Sequence, residues 1–367
     1  MTVRPLTGWT VGVTAARRRE ELGAALERGG AKVVHGPAIR IVPLADDTRL
    51  REATERCLSA PLDVVVATTG IGFRGWMDAA ETWGLAEPLR AALDAATILA
   101  RGPKVCGAVR ASGLREAWSP DSESSNEVLD HLLAEHDLDG RRVAVQLHGE
   151  PLPELVDKLR AAGADVIEVP VYRWEPPADE QPLRRLIEQT ACSAIDALTF
   201  TSAPAAVNFL RTADELGLGD QVRAALRLRV LCVAVGPVTA GPLERAGITP
   251  VQPTRFRLGA LVRTVVEKLP AHATTLTAAG HHVELRGHGV LVDDTFVPIA
   301  AAGMALLRAL AARPGAVLSR DALAPLLPGD SADGHAVEVA IGRLRTALGD
   351  PTIIATLVKR GYRLAVG

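Results

Sequence analysis

The chain has 367 residues, 48% of them hydrophobic, and its 41 lysines and arginines nearly balance 43 aspartates and glutamates. That composition excludes a disordered chain and a histone-like polycation, while allowing several cored domains and a locally basic surface. Four cysteines, Cys57, Cys106, Cys192 and Cys232, stand apart without C-x-x-C spacing and predict buried, reduced thiols of a cytosolic protein.

The opening "MTVRPLTGWTVGVTAARRRE" lacks a signal-peptide layout, and no apolar run reaches bilayer-spanning length, so the expected location is the cytoplasm, with no membrane partner. From there the chain repeats itself. "GWTVGVTAARRREELGAALERGGAKVVHGPAIRI" (8–41) matches "GRRVAVQLHGEPLPELVDKLRAAGADVIEVPVYRW" (140–174). "DVVVATTGIGFRGWM" (63–77) matches "DALTFTSAPAAVNFL" (196–210), and "TILARGPKVCGAVRASGL" (97–114) matches "VLCVAVGPVTAGPLERAGI" (230–248). The three matches keep their order at an offset of roughly 133 residues, which marks a tandem duplication.

Each repeated piece is a short apolar run, a small-residue loop and an apolar pattern at helical spacing. Leu22, Ala25 and Leu26 share one helix face, as do Leu155, Leu159 and Ala162. Strands alternating with helices predict an α/β fold with parallel sheets covered on both faces, here two doubly wound, flavodoxin-like lobes with a cleft between them.

Ligands of such sheets bind beyond the carboxyl ends of the strands. The loops expected there are "TTG" (68–70), "RGP" (101–103), "HGE" (148–150), "TSA" (201–203) and "VGPVT" (235–239). Backbone N–H groups and hydroxyls at helix starts hold anions without net positive charge. The candidate ligand residues are therefore Thr68, Thr69, Gly102, His148, Thr201, Ser202, Gly236 and Thr239, with Arg17 as a carboxylate contact. Each loop taken singly is also explained by helix capping. Taken as a set, they suit a small ligand carrying several carboxylates or phosphates.

"VGVTAARRR", "TTGIGF", "RGPKV", "AGADVIEVPVYRW", "FTSAPAAVNFL" and "VAVGPVTAGPLERAG" together resemble uroporphyrinogen-III synthase over about residues 6 to 269. The resemblance implies lobes of 1–37 with 175–269, and of 44–168, joined by a two-stranded ribbon on "AIRIVPL" (38–44) and "EVPVYRW" (168–174). It also implies cyclisation of hydroxymethylbilane, a linear tetrapyrrole, with loss of water and inversion of the last ring, without metal or cofactor. Tyr172 stands at the family's implicated tyrosine, as a proton donor to the leaving hydroxyl or as a packing residue of the ribbon. "TTGIGF" lacks the Ser-x-Asn-Gly form common in the family, and His148 stands where Arg is frequent.

Residues 270–281, "PAHATTLTAAGH", read as a linker. "HVELRGHGVLVDDTFVPI" then predicts two strands, Met304 to Leu310 a helix, and Ser319 the N-cap of a second helix. In "GHAVEVAIGRLRTALG", Val337, Ile341, Leu344 and Leu348 form a buried stripe with Arg343 and Arg345 off it. "TIIATLVKRGYRLAV" closes as a hairpin with Lys359 and Arg360 near its tip. A helix with a basic wing can enter the major groove and grip phosphates. "PGAVLSRDAL", "VEVAIGRLRTALGD" and "RGYRL" resemble the winged-helix domain of OmpR/PhoB-type response regulators over about 282–366. The resemblance implies double-stranded DNA as partner, with contacts from His335, Arg343, Arg345, Lys359, Arg360 and Arg363.

Two functions follow from the joined pieces. One is a DNA-binding transcriptional regulator whose bilobed part senses an anionic ligand, with a partner regulator or a homodimer as further partners. The joined architecture resembles actinobacterial regulators of nitrate and nitrite assimilation. The other is a working synthase with an accessory DNA-binding tail. His281, His282 and His288 lack the cysteines and spaced acids of a metal site, so no metal is expected.

Overall fold

The computed structural model describes residues 3–43, 48–121, 125–149, 152–327 and 334–366. The chain falls into two units, residues 1–39 with 176–367, and residues 40–175. In chain order the α/β strands are β1 (Thr10–Val13), β2 (Lys32–His35), β3 (Arg40–Pro43), β4 (Val64–Ala67), β5 (Thr97–Ala100), β6 (Arg142–Gly149), β7 (Asp165–Glu175), β8 (Ala197–Phe200) and β9 (Leu231–Ala234).

One unit holds a parallel sheet of order β2-β1-β8-β9, and the other a sheet of order β3-β7-β6-β4-β5, parallel except at β3. Apart from β3 the two orders are the same under the duplication: β1 and β2 correspond to β6 and β7, and β8 and β9 to β4 and β5. Each sheet thus combines the first piece of one copy with the second and third pieces of the other. The antiparallel pairing of Arg40 with Glu175 and of Val42 with Arg173 lies where the chain leaves one unit and returns to it.

Continuous apolar runs make the central strands, as burial on two faces requires. Val11, Val13, Ala197 and Val233 pack with Leu22, Leu26, Leu261 and Val265 of the covering helices. In the other unit strand alternation sorts the layers. Val65 and Ala67 face Phe73 and Trp76, while Val64 and Val66 face Leu129, Leu155 and Leu159. Cys57, Cys106 and Cys232 are buried, but Cys192 is exposed, because it caps the helix Gln181–Ala191 beyond its last apolar position.

The C-terminal region adds β10 (Thr274–Ala278), β11 (His281–Leu285), β12 (Gly289–Val292) and β13 (Thr295–Pro298), an antiparallel sheet in sequence order. Residues 270–281 are therefore no linker. Pro270–His272 is a 3-10 turn, and β10 pairs along its length with β11, from Thr274 opposite Leu285 to Ala278 opposite His281. Three strands rather than two occupy 281–298, broken by turns at 286–288 and 293–294. Helices Ala301–Ala311 and Gly334–Leu348 pack on this sheet, with Arg320–Leu323 as one short turn between them. Ser319 Oγ accepts the N–H of Ala322 at 3.2 Å, the expected cap. The hairpin β14 (Ile354–Leu357) and β15 (Gly361–Leu364) closes the domain, and Leu318 and Tyr362 exchange backbone hydrogen bonds of 2.9 Å.

Candidate ligand loops and nucleic-acid interface

In the sheet β2-β1-β8-β9 the connections diverge between β1 and β8, so the loops following these strands flank a topological switch point. Arg17 follows β1; it is exposed and makes no ion pair or hydrogen bond among the described residues. Thr201 and Ser202 follow β8, half-buried. Ser202 is the N-cap of the helix Ala203–Glu215, yet its hydroxyl does not cap it. Three groups able to bind an anion thus stand unspent at one strand edge.

The other switch point lies between β6 and β4. Here the hydroxyls are committed. Thr68 is buried and donates to the Gln146 carbonyl at 2.8 Å. Thr69 Oγ1 accepts Gly72 N–H at 3.2 Å, capping the helix Gly70–Thr82, and also accepts Gln146 Nε2 at 3.0 Å. Gln146 is wholly buried with Oε1 lacking a partner among the described residues, an acceptor that sequence reading missed. The side chain of His148 lies outside the described residues.

Gly102 and Gly236 repeat each other closely, as N-caps at φ 175° with ψ 178° and 179°, each before a proline at the helix start. Phe256 packs against Gly236, and an added Cβ there would lie 2.8 Å from its ring. Thr239, in the first turn of that helix, is buried. Tyr172 is 7% exposed, in the core with its ring edge-on to Trp174 at 5.3 Å.

In the C-terminal domain the stripe Val337, Ile341, Leu344 and Leu348 is buried as the periodicity requires. The opposite face shows His335, Glu338, Val339, Gly342, Arg343 and Thr346. The side chain of Arg343 is exposed with no bonding partner among the described residues, as are those of Lys359, Arg360 and Arg363 on the hairpin. Arg345 is different. Its Nε donates to the Ile354 carbonyl at 2.9 Å, its Nη2 to Thr356 Oγ1 at 2.7 Å, and its guanidinium lies 5.8 Å from the Tyr362 ring centre.

Arg345 therefore ties the wing to the helix through Nε and Nη2. The reason is geometric: the wing strand passes beside the helix turn that carries it. Arg320 does similar work that the sequence did not signal, pairing with Glu338 at 2.7 Å while lying 6.0 Å from the same ring. His335 stands exposed, 4.0 Å from Glu338. Gly361, at φ +127°, sits where an added Cβ would be 2.0 Å from the Leu318 carbonyl oxygen, so the wing turn accepts only glycine.

No group of histidine, cysteine and acidic side chains among the described residues is placed to hold a metal ion. No helix among them is long and apolar enough to cross a membrane. His281 is instead tied to Asp293 at 2.5 Å and Asp350 at 3.2 Å, and these carboxylates raise its pKa.

Residues 20–263 match the profile of uroporphyrinogen-III synthase HemD, and residues 294–364 that of the transcriptional regulatory protein C-terminal domain. The uncharacterized Bacillus subtilis protein YjjA is 32% identical over 70% of this chain and 94% of its own. A crystal structure of mutant uroporphyrinogen III synthase from Thermus thermophilus is 30% identical, covering 70% of this chain and 96% of its own at a TM-score of 0.56. The DNA-binding domain of Klebsiella pneumoniae RstA, crystallised with the RstA box, is 31% identical over 25% of this chain and 96% of its own, at a TM-score of 0.22.

Proposed function

This chain belongs to the uroporphyrinogen-III synthase family over residues 20–263 and ends in an OmpR/PhoB-type DNA-binding domain over 294–364, and from that premise we propose a cytoplasmic one-component regulator that senses a polycarboxylate of the tetrapyrrole class. One observation carries the DNA-binding part: four cations, Arg343, Lys359, Arg360 and Arg363, stand exposed and unspent on the helix Gly334–Leu348 and its wing. Such groups serve phosphate contact and base readout. With Arg345 held by the wing and Glu338 held by Arg320, one long side chain, Arg343, is left for the groove. Promoters of nitrate and nitrite assimilation genes are the proposed targets, on the architecture that the joined domains resemble.

The test is selection of a duplex by the full chain, followed by binding of Arg343→Ala to it. A lost base contact weakens binding by about 1–3 kcal/mol, roughly 5- to 150-fold. Removing one phosphate contact lowers the slope of log affinity against log salt by about 0.9. Unchanged affinity in Arg343→Ala would remove this helix from the groove.

The unspent Arg17, Thr201 and Ser202 also favour a second reading, a working synthase, since carboxylates of hydroxymethylbilane suit them. Conversion of hydroxymethylbilane to the type-III macrocycle above the spontaneous type-I background tests it. Type-I product alone ends that reading.

A further inference from the structure

The amino ends of β1 and β8 are covered by the DNA-binding domain. Arg286, in the turn between β11 and β12, is 7% exposed and donates through Nη1 to the carbonyls of Thr7 at 2.7 Å and Pro5 at 3.3 Å. Its Nε is fixed by Glu284 at 2.8 Å. The backbone N–H of His288 donates to the Gly8 carbonyl at 2.9 Å, and Phe296 lies so close to Gly8 that an added Cβ there would meet it at 2.6 Å. Gly287 lies against Asp196, with an added Cβ 1.9 Å from Oδ2, and that oxygen accepts the Thr10 N–H at 2.7 Å. Arg308 closes the joint from the helix Ala301–Ala311, donating to the Gly287 carbonyl at 2.7 Å.

The duplication supplies an internal control. Gly140 and Asp63 of the other unit correspond to Gly8 and Asp196. Gly140 has open space around it, and Asp63 Oδ2 accepts the Arg142 N–H at 2.9 Å while its other oxygen takes Arg141. The same turn and carboxylate thus occur once bare and once fitted to another domain. Where Arg141 stands in the bare copy, Trp9 stands in the covered one, buried in the core.

We infer that this joint is an interaction surface built to couple the two domains: β1 and β8 carry the candidate ligand loops at their carboxyl ends and the DNA-binding domain at their amino ends. Two adjacent strands, cross-linked by Thr14 Oγ1 to the Thr199 carbonyl at 2.8 Å and Thr199 Oγ1 to the Gly12 carbonyl at 3.0 Å, connect the two sites. A ligand that shifts one strand against the other at Arg17, Thr201 and Ser202 alters the surface on which Arg286 and Gly287 rest. This coupling rests on the ligand reading of the loops given above. Arg286 and Gly287 are positioning residues and touch neither ligand nor DNA.

The experiment compares the full chain with Arg286→Ala, which removes the clamp, and Gly287→Val, which wedges the joint open against Asp196. Hydrogen exchange at the His288 and Thr10 amides reports the joint, and the selected duplex is titrated with and without anaerobic uroporphyrinogen III. The wild type protects both amides and shifts its duplex affinity by about fivefold or more on adding uroporphyrinogen III; both variants lose protection and shift by less than about twofold, while still binding uroporphyrinogen III alone. Variants that lose protection yet keep the wild-type shift overturn the coupling, as does a wild type that binds both partners independently. Retained protection in both variants overturns the joint itself. If the wild type fails to bind uroporphyrinogen III without DNA, the ligand reading falls first and the coupling with it.

Discussion

In the unit of residues 40–175, Asp63 accepts the N–H of Arg142 and an arginine side chain, and these bonds hold its carboxyl below its ordinary pKa. In the other unit Asp196 makes the same backbone bond, to Thr10, but burial pushes its carboxyl up to about 6, against the Thr10 N–H and the charge of Arg308. The contrast teaches what docking a domain does to a duplicated site. The local hydrogen bond was kept in both copies, and the covering surface reversed the direction of the shift. In the same turn as Gly287, burial also lowers the pKa of His288, assisted by Lys32, and its ring lies edge-on to Phe296 at 5.9 Å.

The sharpest way to break this comparison is to remove both charges in turn. Asp196 has a folded pKa above its unfolded value, so its contribution is fully present below pH 3.8 and is lost as the pH rises through about 6. At pH 7 its ionised form costs about 3 kcal/mol, an upper figure for a partly buried carboxyl. Asp196→Asn, which keeps an acceptor for Thr10, is therefore expected to raise the melting temperature at pH 7 and to lose that advantage near pH 4. Asp63→Asn is expected to act in the opposite direction at pH 7, because a depressed carboxyl contributes stability above its unfolded pKa. Melting curves of the two variants across pH 4 to 8 decide it; two shifts of the same sign would dissolve the contrast.

The carboxyl edges differ too, and smaller effects sharpen that difference. Ser202→Ala combined with Thr201→Val removes two hydroxyls that bond to nothing among the described residues, so stability should stay within about 0.5 kcal/mol while uroporphyrinogen III binding falls roughly tenfold. Thr68→Val does the reverse. It deletes the buried bond to the Gln146 carbonyl, for about 1 kcal/mol of stability, with ligand affinity unchanged. Thermal melts and ligand titrations on the same preparations separate the two; a destabilised Ser202 and Thr201 variant would mean those hydroxyls are structural after all.

How much of this was legible in the sequence depended on whether a signal was local. The duplication pairs β1 with β6 and β8 with β4, and its offset alone allowed that pairing to be read. The stripe of Val337, Ile341, Leu344 and Leu348 needed no more than helical periodicity. β10 reads as a linker in sequence because a strand on a sheet edge, with Thr274, Thr275 and Thr277 exposed, lacks apolar alternation strong enough to mark it. Arg343 and Arg345 look alike on a helical wheel. What distinguishes them is Ile354 and Thr356, carried by a strand the wheel does not include. The Arg286 joint had even less signal, since its acceptors are backbone carbonyls some 280 residues upstream, where the side chains are uninformative.

The smallest effect concerns thiols, and it again sets one unit against the other. Cys57 of the unit 40–175 lies in the last turn of the helix Thr48–Leu58, turned inward, and burial raises its thiol to about 12. Cys232 in β9 is raised to about 12 for the same reason. The nucleophile in alkylation is the thiolate, so these two are inert twice over, by access and by protonation. Cys106 is buried on the helix Pro103–Ala111, whereas Cys192 is exposed at a helix end, with Sγ weakly bonded to the Gln189 carbonyl at 3.6 Å. Iodoacetamide at pH 8 should therefore modify Cys192 alone in the folded chain, and Cys57, Cys106 and Cys232 only at the rate of unfolding. Peptide mapping after brief exposure checks this. Early labelling of Cys57 would show that the unit of residues 40–175 opens locally without global unfolding.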